Sequence, residues 1–445
     1  MHPDLPKALR ARKAIPLKGS AAVPGDKSIS QRALILGALA DGETRITGLL
    51  ESGDVHSTAG ALRGLGAELT RDGPGNWRVR GTGVGNWQSA LAPLDFGNSG
   101  TGSRLVMGAM ATTPITAVFT GDASLRSRPM ARVLEPLLAF GVRYEGQGPK
   151  ALMPLTLHGA GDAAGIHTGV AVASAQVKSA LLLAALNARG ASRISQATLT
   201  RDHTEKMLAA FGAKILVRPL GNGEEIILEG RAGLKGANVE VPRDPSSAAF
   251  PLVAALIVPG SEISLPAILL NPRRAGLIET LLEMGADIRI QNRRTSGGEE
   301  IGDLVVRHSR LKGVVVPAAR APSMIDEYPI LAIAASFAKG QTVMLGLEEL
   351  RVKESDRLAA ILAGLHANGV SAHESENNLT VEGASKVPGG GLVETHMDHR
   401  IAMSFLTLGM ASEKSVTVDD AAMIATSFPE YPDLMAGLGA DMEAA

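Results

Sequence analysis

Apolar residues recur along this chain at helical spacing, stop at a glycine, and then give way to strict alternation. The recurring unit is Leu or Met, two residues, an apolar residue, Gly, Ala or Val, any residue, apolar. It reads LRGLGAEL at Leu62–Leu69, LLAFGVRY at Leu137–Tyr144, LAAFGAKI at Leu208–Ile215 and LLEMGADI at Leu281–Ile288. A degenerate copy, LHANGVSA, lies at Leu365–Ala372, and a last one, MAGLGADM, at Met435–Met442. The Leu and apolar positions suit the inner face of a helix. Glycine supplies the left-handed residue that ends it, and the alternation that follows starts a strand. Such junctions occur in any α/β protein. Here, however, the glycines at 66, 141, 212, 285, 369 and 439 are 75, 71, 73, 84 and 70 residues apart. Even spacing over six copies indicates an internal repeat. It is longer than a solenoid unit of roughly 20–50 residues, and it suits a small α/β subdomain, three copies in each half.

At mid-chain the segment Glu240–Ser247 (EVPRDPSS) carries two prolines and two serines and predicts a crossover between halves. Its Pro and Asp echo Val23–Ser28 (VPGDKS), as related halves would require. Two similar lobes joined by thin crossings would open and close around a cleft. A length of 445 residues fits two to three domains of ordinary size. Hydrophobic residues make up 45% of the chain, but aromatics only 3%, so packing must rely on Ala, Leu, Val, Ile and Gly. Scarce aromatics argue against a stacking surface for single-stranded nucleic acid, and a net charge of −1 gives no global attraction for a polyanion. With no cysteine, disulfides, thiolate metal sites and Cys nucleophiles are excluded. No apolar run approaches transmembrane length, and Met1–Gly19 lacks the apolar core of a signal peptide. A cytoplasmic protein without membrane partners is expected.

Chemistry concentrates just before apolar helical stretches. Pro24–Arg32 (PGDKSISQR) leads from a turn into Ala33–Leu39. Lys27, Ser28 and Arg32 then lie around the first turns of a helix, where backbone N–H groups and the dipole favour anions. Lys adds a point charge and Arg a bidentate fork. An N-cap followed by solvated charges is the competing reading. Asp95–Arg104 (DFGNSGTGSR) crowds small residues before Leu105–Met110, which lets backbone amides approach a phosphate. Gly121–Met130 adds Arg126 and Arg128, a weak signal alone because exposed arginines are common. Ser174–Ser179 (SAQVKS) offers hydroxyl and amide groups to a polyhydroxyl ligand, or is a polar helix start. Thr200–Glu205 reads mostly as capping, although Arg201 could reach a ligand. In the second half, Ser323–Pro329 (SMIDEYP) places two carboxylates before Ile330–Phe337. Arg351–Arg357 (RVKESDR) packs five charged residues into seven, and Asp398–Arg400 precedes Ile401–Met410. A charge run is usually a solvated face. If helices of both halves point their N-termini at one cleft, these clusters converge there.

PGDKSIS, GNSGT, RPM, SAQVKSA, IDEYP, RVKESDR and DHRIAMS occur in one order, and together they resemble the 5-enolpyruvylshikimate-3-phosphate synthase family from about Gly19 to Pro432. LRVKESDRL and SAQVKSA are similar to the bacterial subgroup often called class II. The resemblance implies two lobes, each of three βαβαββ units, with the active site in the cleft between them. It puts the first strand, near Leu17, in the C-terminal lobe. Residues 22–242 would then form one lobe, and 1–21 with 243–445 the other.

For the site, the resemblance implies that Lys27, Ser28, Arg32, Ser174, Ala175, Gln176, Arg201, Asp326 and Lys353 bind shikimate 3-phosphate. Lys27, Asn98, Gly100, Arg128, Gln176, Arg357 and Arg400 would bind phosphoenolpyruvate. The implied reaction is addition of the 5-hydroxyl to C2 of phosphoenolpyruvate with protonation at C3, then loss of phosphate from the tetrahedral intermediate. Asp326 is expected as the base and Glu354 as the group protonating C3, with Lys27 as its rival. No metal and no cofactor are implied, and glyphosate is implied as a competitor of phosphoenolpyruvate. A monomer is expected. Two positions depart from the family pattern: Leu105 stands where many relatives carry proline, and Thr426 where others carry lysine, which removes a cation. Two other readings compete. A UDP-N-acetylglucosamine enolpyruvyl transferase commonly uses a cysteine acid, which this chain lacks. A non-catalytic nucleic-acid-binding repeat protein is opposed by the charge and the scarce aromatics.

Overall fold

The computed structural model describes residues 8–445; residues 1–7, part of the segment 1–21 assigned above to one lobe, lie outside them. Contacts divide the chain into two compact units. One is Gly25–Val241. The other combines the segment ending at Pro24 with Pro242–Ala445. No helix among the described residues is long and apolar enough to cross a membrane.

The fold is mixed α/β. Among the described residues the strands form six four-stranded sheets, three in each unit. All six share one topology, with one parallel step followed by two antiparallel steps. In one of them Leu94–Asp95 runs parallel to Thr116–Thr120, which pairs antiparallel with Leu152–His158, which pairs antiparallel with Arg143–Gln147. Helix Gly100–Met110 joins the first two strands, and helices Ala123–Ser127 and Ala131–Leu137 join the second to the edge strand. This is the βαβαββ order.

Three sheets are completed by distant segments. Asn238–Glu240 returns to lie parallel to Glu43–Thr47, so the contiguous unit closes on its own beginning. In the other unit Leu9–Arg12 is inserted between Val416–Val418 and Asp441–Ala444. The expectation of a first strand near Leu17 needs correcting here. Two strands flank the buried Leu17: Leu9–Arg12, and Lys18–Ser20, which pairs with Glu262–Leu269. The earlier strand is only four residues long, LRAR. Its period-two signal is Leu9 and Ala11 inward, with Arg10 and Arg12 outward beside Glu443.

The six repeat glycines all take left-handed backbone, with φ between 72° and 111°. Each ends a helical segment and is followed by the strand at one edge of its sheet, such as Glu68–Gly73 or Ala372–Ser375. The longest spacing, between Gly285 and Gly369, contains the long hairpin of Asp287–Ser296 and Glu299–Arg307.

The first helix of each repeat is apolar almost all round and is buried, as such a helix must be. In the contiguous unit these are Lys27–Leu39, Gly100–Met110 and Ala175–Ala185; in the other they are Pro245–Ile257, Tyr328–Ser336 and His399–Gly409. Small residues let them approach closely. A Cβ on Gly108 would fall 2.5 Å from the Cα of Ala180 on the neighbouring helix. Each of the polar motifs PGDKS, GNSGT, SAQVKS, IDEY and DHR therefore sits at the N-terminus of a buried inner helix. The helices begin earlier than the apolar runs suggested. Gly100, Thr101 and Arg104 belong to the first turns of a helix rather than to a loop before it, and His399 and Arg400 open the last inner helix.

Candidate functional site

In the unit Gly25–Val241, Asp26 caps helix Lys27–Leu39 by accepting from the Ile29 amide at 2.8 Å. That cap fixes the first turn. Lys27 Nζ lies 3.2 Å from a carboxylate oxygen of the buried Asp54. One turn on, Arg32 is buried and directed by hydroxyls. Its Nε donates to Thr204 at 2.7 Å, one Nη to Ser179 at 2.8 Å, and the other to the Ser28 carbonyl at 3.0 Å. Thr204 stands in helix His203–Ala210, and the half-buried Arg201 precedes that helix. Arg32 therefore ties the segments Pro24–Arg32, Ser174–Ser179 and Thr200–Glu205 into one cluster. The hydroxyls of Ser179 and Thr204 are also 2.6 Å apart.

The second cluster surrounds Gly100. Ser99 caps helix Gly100–Met110 by accepting from the Gly102 amide. Arg128 donates to the Asn98 side chain at 2.6 Å, to the Asn98 carbonyl at 3.3 Å and to Ser124 at 2.9 Å, while Asn98 donates to Asp122 at 2.8 Å. Arg104 donates to Gln176 at 2.7 Å, and Gln176 in turn donates to Thr101 at 2.9 Å. Ser174 caps helix Ala175–Ala185 through the Val177 amide, which places Ala175 and Gln176 in its first turn. A Cβ on Gly100 would come within 2.9 Å of Arg128 and 3.2 Å of Arg104. Two guanidinium groups thus flank a bare helix N-terminus. Leu105 is fully buried in this unbroken helix.

Behind these motifs is a buried ionic group. Lys178 is 0% exposed, 2.5 Å from Glu205 and 3.6 Å from Glu224, and Glu224 also accepts from Gln196 at 2.6 Å. Burial pushes the Glu205 carboxyl above its usual range, and Lys178 only partly counters it.

In the other unit the centre is Arg357, 0% exposed, at the first position of helix Arg357–Ala367. Its Nε donates to Asp398 at 2.8 Å, one Nη to Asp326 at 3.1 Å, and the other to Glu354 at 2.5 Å. Burial alone would depress its pKa, but the fields of Asp398, Glu354 and Asp326 outweigh burial and raise it. Lys353 approaches the same Asp326 oxygen at 3.7 Å. Asp398 caps helix His399–Gly409 and accepts from the Arg400 amide, and Ser355 donates to it at 3.1 Å. The Arg400 guanidinium donates to the Asp326 carbonyl at 3.3 Å and lies 3.7 Å from Glu327. Thr426 has its hydroxyl 3.5 Å from the His399 ring and donates to the Met423 carbonyl.

The expected residues thus gather in two groups. Lys27, Ser28, Arg32, Asn98, Gly100, Arg128, Ser174, Ala175 and Gln176 stand at three inner-helix N-termini of one unit. Asp326, Lys353, Glu354, Arg357 and Arg400 form one hydrogen-bonded cluster in the other. Sequence reasoning did not single out Asp54, Ser179, Thr204, Asp398 or Glu327 as site residues. Glu327, Asp398, Ser179 and Thr204 lie inside the polar motifs. Asp54 and Thr204 carried only a helix-start signal, and what they hold lies 27 and 172 positions away. The first group sets cations at helix N-termini, with Arg32, Arg104 and Arg128 on neutral partners and Lys27 on Asp54, and the second interleaves cations with carboxylates, an arrangement that suits an enzyme for small anionic molecules.

The comparisons narrow that class. A family model for EPSP synthase (3-phosphoshikimate 1-carboxyvinyltransferase) matches residues 11–435. A 3-phosphoshikimate 1-carboxyvinyltransferase of Cereibacter sphaeroides is 59% identical over 436 residues, covering 98% of both chains. That of Paracoccus denitrificans is 58% identical over 442 residues, covering 99% of this chain and 100% of the relative. Among solved structures, an EPSP synthase from Acinetobacter baumannii superposes with a TM-score of 0.85 at 40% identity, covering 98% of this chain and 99% of its own. The chain belongs to the EPSP synthase family.

Proposed function

We propose that this enzyme transfers the enolpyruvyl group of phosphoenolpyruvate to the 5-hydroxyl of shikimate 3-phosphate, releasing phosphate, in the shikimate pathway to aromatic amino acids. The observation that carries the chemistry is Asp326, held at 3.1 Å by Arg357 and at 3.7 Å by Lys353. A carboxylate so fixed is a base whose position is set before substrate arrives. Family membership over nearly the whole chain disfavours the UDP-N-acetylglucosamine and nucleic-acid readings.

Shikimate 3-phosphate is bound by Lys27, Ser28, Arg32, Ser174, Ala175, Gln176, Arg201, Asp326 and Lys353. Phosphoenolpyruvate is bound by Lys27, Asn98, Gly100, Arg128, Gln176, Arg357 and Arg400. Asp326 takes the proton of the 5-hydroxyl as its oxygen bonds to C2, and C3 receives a proton from Glu354 or Lys27. The tetrahedral adduct then returns one proton of its C3 methyl to the group that supplied one, the C2–C3 double bond re-forms as the bond from C2 to the phosphate oxygen breaks, and phosphate leaves with the proton that Asp326 had taken. Arg357 must exchange a carboxylate partner to reach phosphoenolpyruvate, because its fork here is spent on Asp398, Asp326 and Glu354. The enzyme acts as a monomer, and glyphosate competes with phosphoenolpyruvate. Phosphate release measured with both substrates, each omitted in turn, tests the reading. Release that requires shikimate 3-phosphate is expected, and release that is indifferent to it, or equal with unphosphorylated shikimate, would overturn the assignment.

A further inference from the structure

The motif IDEY holds two adjacent carboxylates, and the reaction uses only one. Asp326 turns toward Arg357 and Lys353, whereas Glu327 turns the other way and is buried, 3% exposed. Glu327 immediately precedes helix Tyr328–Ser336, yet its side chain makes no capping bond there. It accepts instead from the hydroxyl of Ser246, in the first turn of helix Pro245–Ile257. Ser246 in turn accepts from Arg274 at 2.8 Å. Arg274, also buried, reaches Asp244 at 3.3 Å. Asp244 lies at the crossover, where its amide donates to the Pro24 carbonyl at 2.9 Å and Arg243 donates to the Val23 carbonyl at 2.6 Å. At its other end the chain of contacts meets Arg400, 3.7 Å from the Glu327 carboxylate.

We propose that Glu327 is a positioning residue for Arg400, and that Ser246 and Arg274 carry this positioning back to the crossover at Pro242–Asp244. The proposal rests on the assignment of Arg400 to phosphoenolpyruvate. Both contacts meet one Nη of the guanidinium, the Asp326 carbonyl as a hydrogen bond at 3.3 Å and the Glu327 carboxylate as an ion pair at 3.7 Å, so its orientation is set from that nitrogen by the backbone at Asp326 and by the carboxylate beside it. A planar guanidinium fixed at one Nη keeps Nε and the other Nη for an anion, which bidentate recognition requires. Stability alone does not explain the arrangement. A buried ionic group is often no better for stability than apolar residues of the same shape, and the second oxygen of Glu327 meets no hydrogen-bond partner among the described residues. Such a residue is kept for where it holds its neighbour.

The test is steady-state kinetics of the full chain carrying Glu327→Gln, Ser246→Ala, Arg400→Lys, and Glu327→Gln with Arg400→Lys, each with a thermal melt. Glu327→Gln keeps an acceptor for Ser246 and removes the charge facing Arg400. It should raise KM for phosphoenolpyruvate about tenfold, with KM for shikimate 3-phosphate changed less than twofold. Ser246→Ala should shift the same constant in the same direction by a smaller factor, and it stands in if Glu327→Gln does not fold. The double variant should be no worse than Arg400→Lys alone, because the two residues act as one. A loss of thermal stability with an unchanged KM for phosphoenolpyruvate, an equal rise in both KM values, or independent multiplication of the two single effects would overturn the proposal. If Arg400→Lys itself leaves KM for phosphoenolpyruvate unchanged, the assignment of Arg400 to that substrate is what fails.

Discussion

At the scale of single residues, Asp326 bears the most specific expectation. Replacing it with alanine removes the proposed base while leaving Lys27, Ser28 and Arg32 in place. Asp326→Ala should lower kcat by roughly a hundredfold or more, with a smaller loss of shikimate 3-phosphate affinity by calorimetry. Near-normal turnover would remove Asp326 from the mechanism. Gly100 allows a second test. A methyl there meets Arg128 at 2.9 Å and Arg104 at 3.2 Å, and both groups are tethered, Arg128 by Asn98 and Ser124 and Arg104 by Gln176. Overpacking of this kind costs about 1–3 kcal/mol, roughly tenfold in affinity. Glyphosate is longer than phosphoenolpyruvate, so Gly100→Ala should raise its inhibition constant by more than KM for phosphoenolpyruvate. Equal factors would mean that Gly100 does not set that selectivity. Both residues were legible in the sequence because each stands in a short, unusual string at a helix start. Thr204, which with Ser179 aims Arg32, was not, because its segment reads mostly as helix capping. Hydroxyls in helical segments look like ordinary helix residues until the fold brings them to the arginine.

At the scale of elements, the six glycines made the repeat readable because one stereochemical demand, a left-handed residue between helix and edge strand, recurs in every copy. Strand Leu9–Arg12 escaped because its partners lie more than 400 residues away and its own pattern is two apolar positions long. The pairing of Lys178 with Glu205 was hidden for a related reason. Lys178 looks like a polar residue at a helix start, but its helix is buried all round and its partner stands on the next helix. That pair joins the segment carrying Ser174 and Gln176 to the one following Arg201. Lys178→Met should cost about 3–5 kcal/mol, the usual result of removing one partner of a buried pair. The cost should depend on pH. Burial already raises the Glu205 carboxyl, and Lys178 is its main lowering influence. Without the lysine the native state holds a proton that the unfolded chain releases, so stability falls as pH rises from the ordinary Glu range through the raised value. Urea unfolding at pH 5.5 and pH 8 should show a larger deficit at pH 8. A deficit independent of pH would mean that Glu205 is not the group left exposed to the loss.

At the scale of the whole molecule, the two units differ in how the chain builds them. Gly25–Val241 is contiguous, contains three complete sheets, and closes on itself where Asn238–Glu240 pairs with Glu43–Thr47. The other unit needs both ends of the chain, because Leu9–Arg12 and Lys18–Ser20 each complete one of its sheets. A contiguous unit with its own buried helices meets the requirements of an independently folding domain. The fragment 25–241 should therefore fold alone, with a cooperative thermal transition and native-like circular dichroism, whereas 242–445 without residues 8–24 should not. The first fragment keeps Lys27, Ser28, Arg32, Ser174, Ala175, Gln176 and Arg201, and it should still bind shikimate 3-phosphate, measurably but more weakly than the full chain. It lacks Asp326, Glu354, Arg357 and Arg400 and should release no phosphate from phosphoenolpyruvate. Calorimetry and a phosphate assay on the fragment check both halves of the claim. A fragment that folds but binds no shikimate 3-phosphate would place that substrate's recognition in the other unit, and Lys27, Ser28 and Arg32 would then be helix-start charges without a ligand.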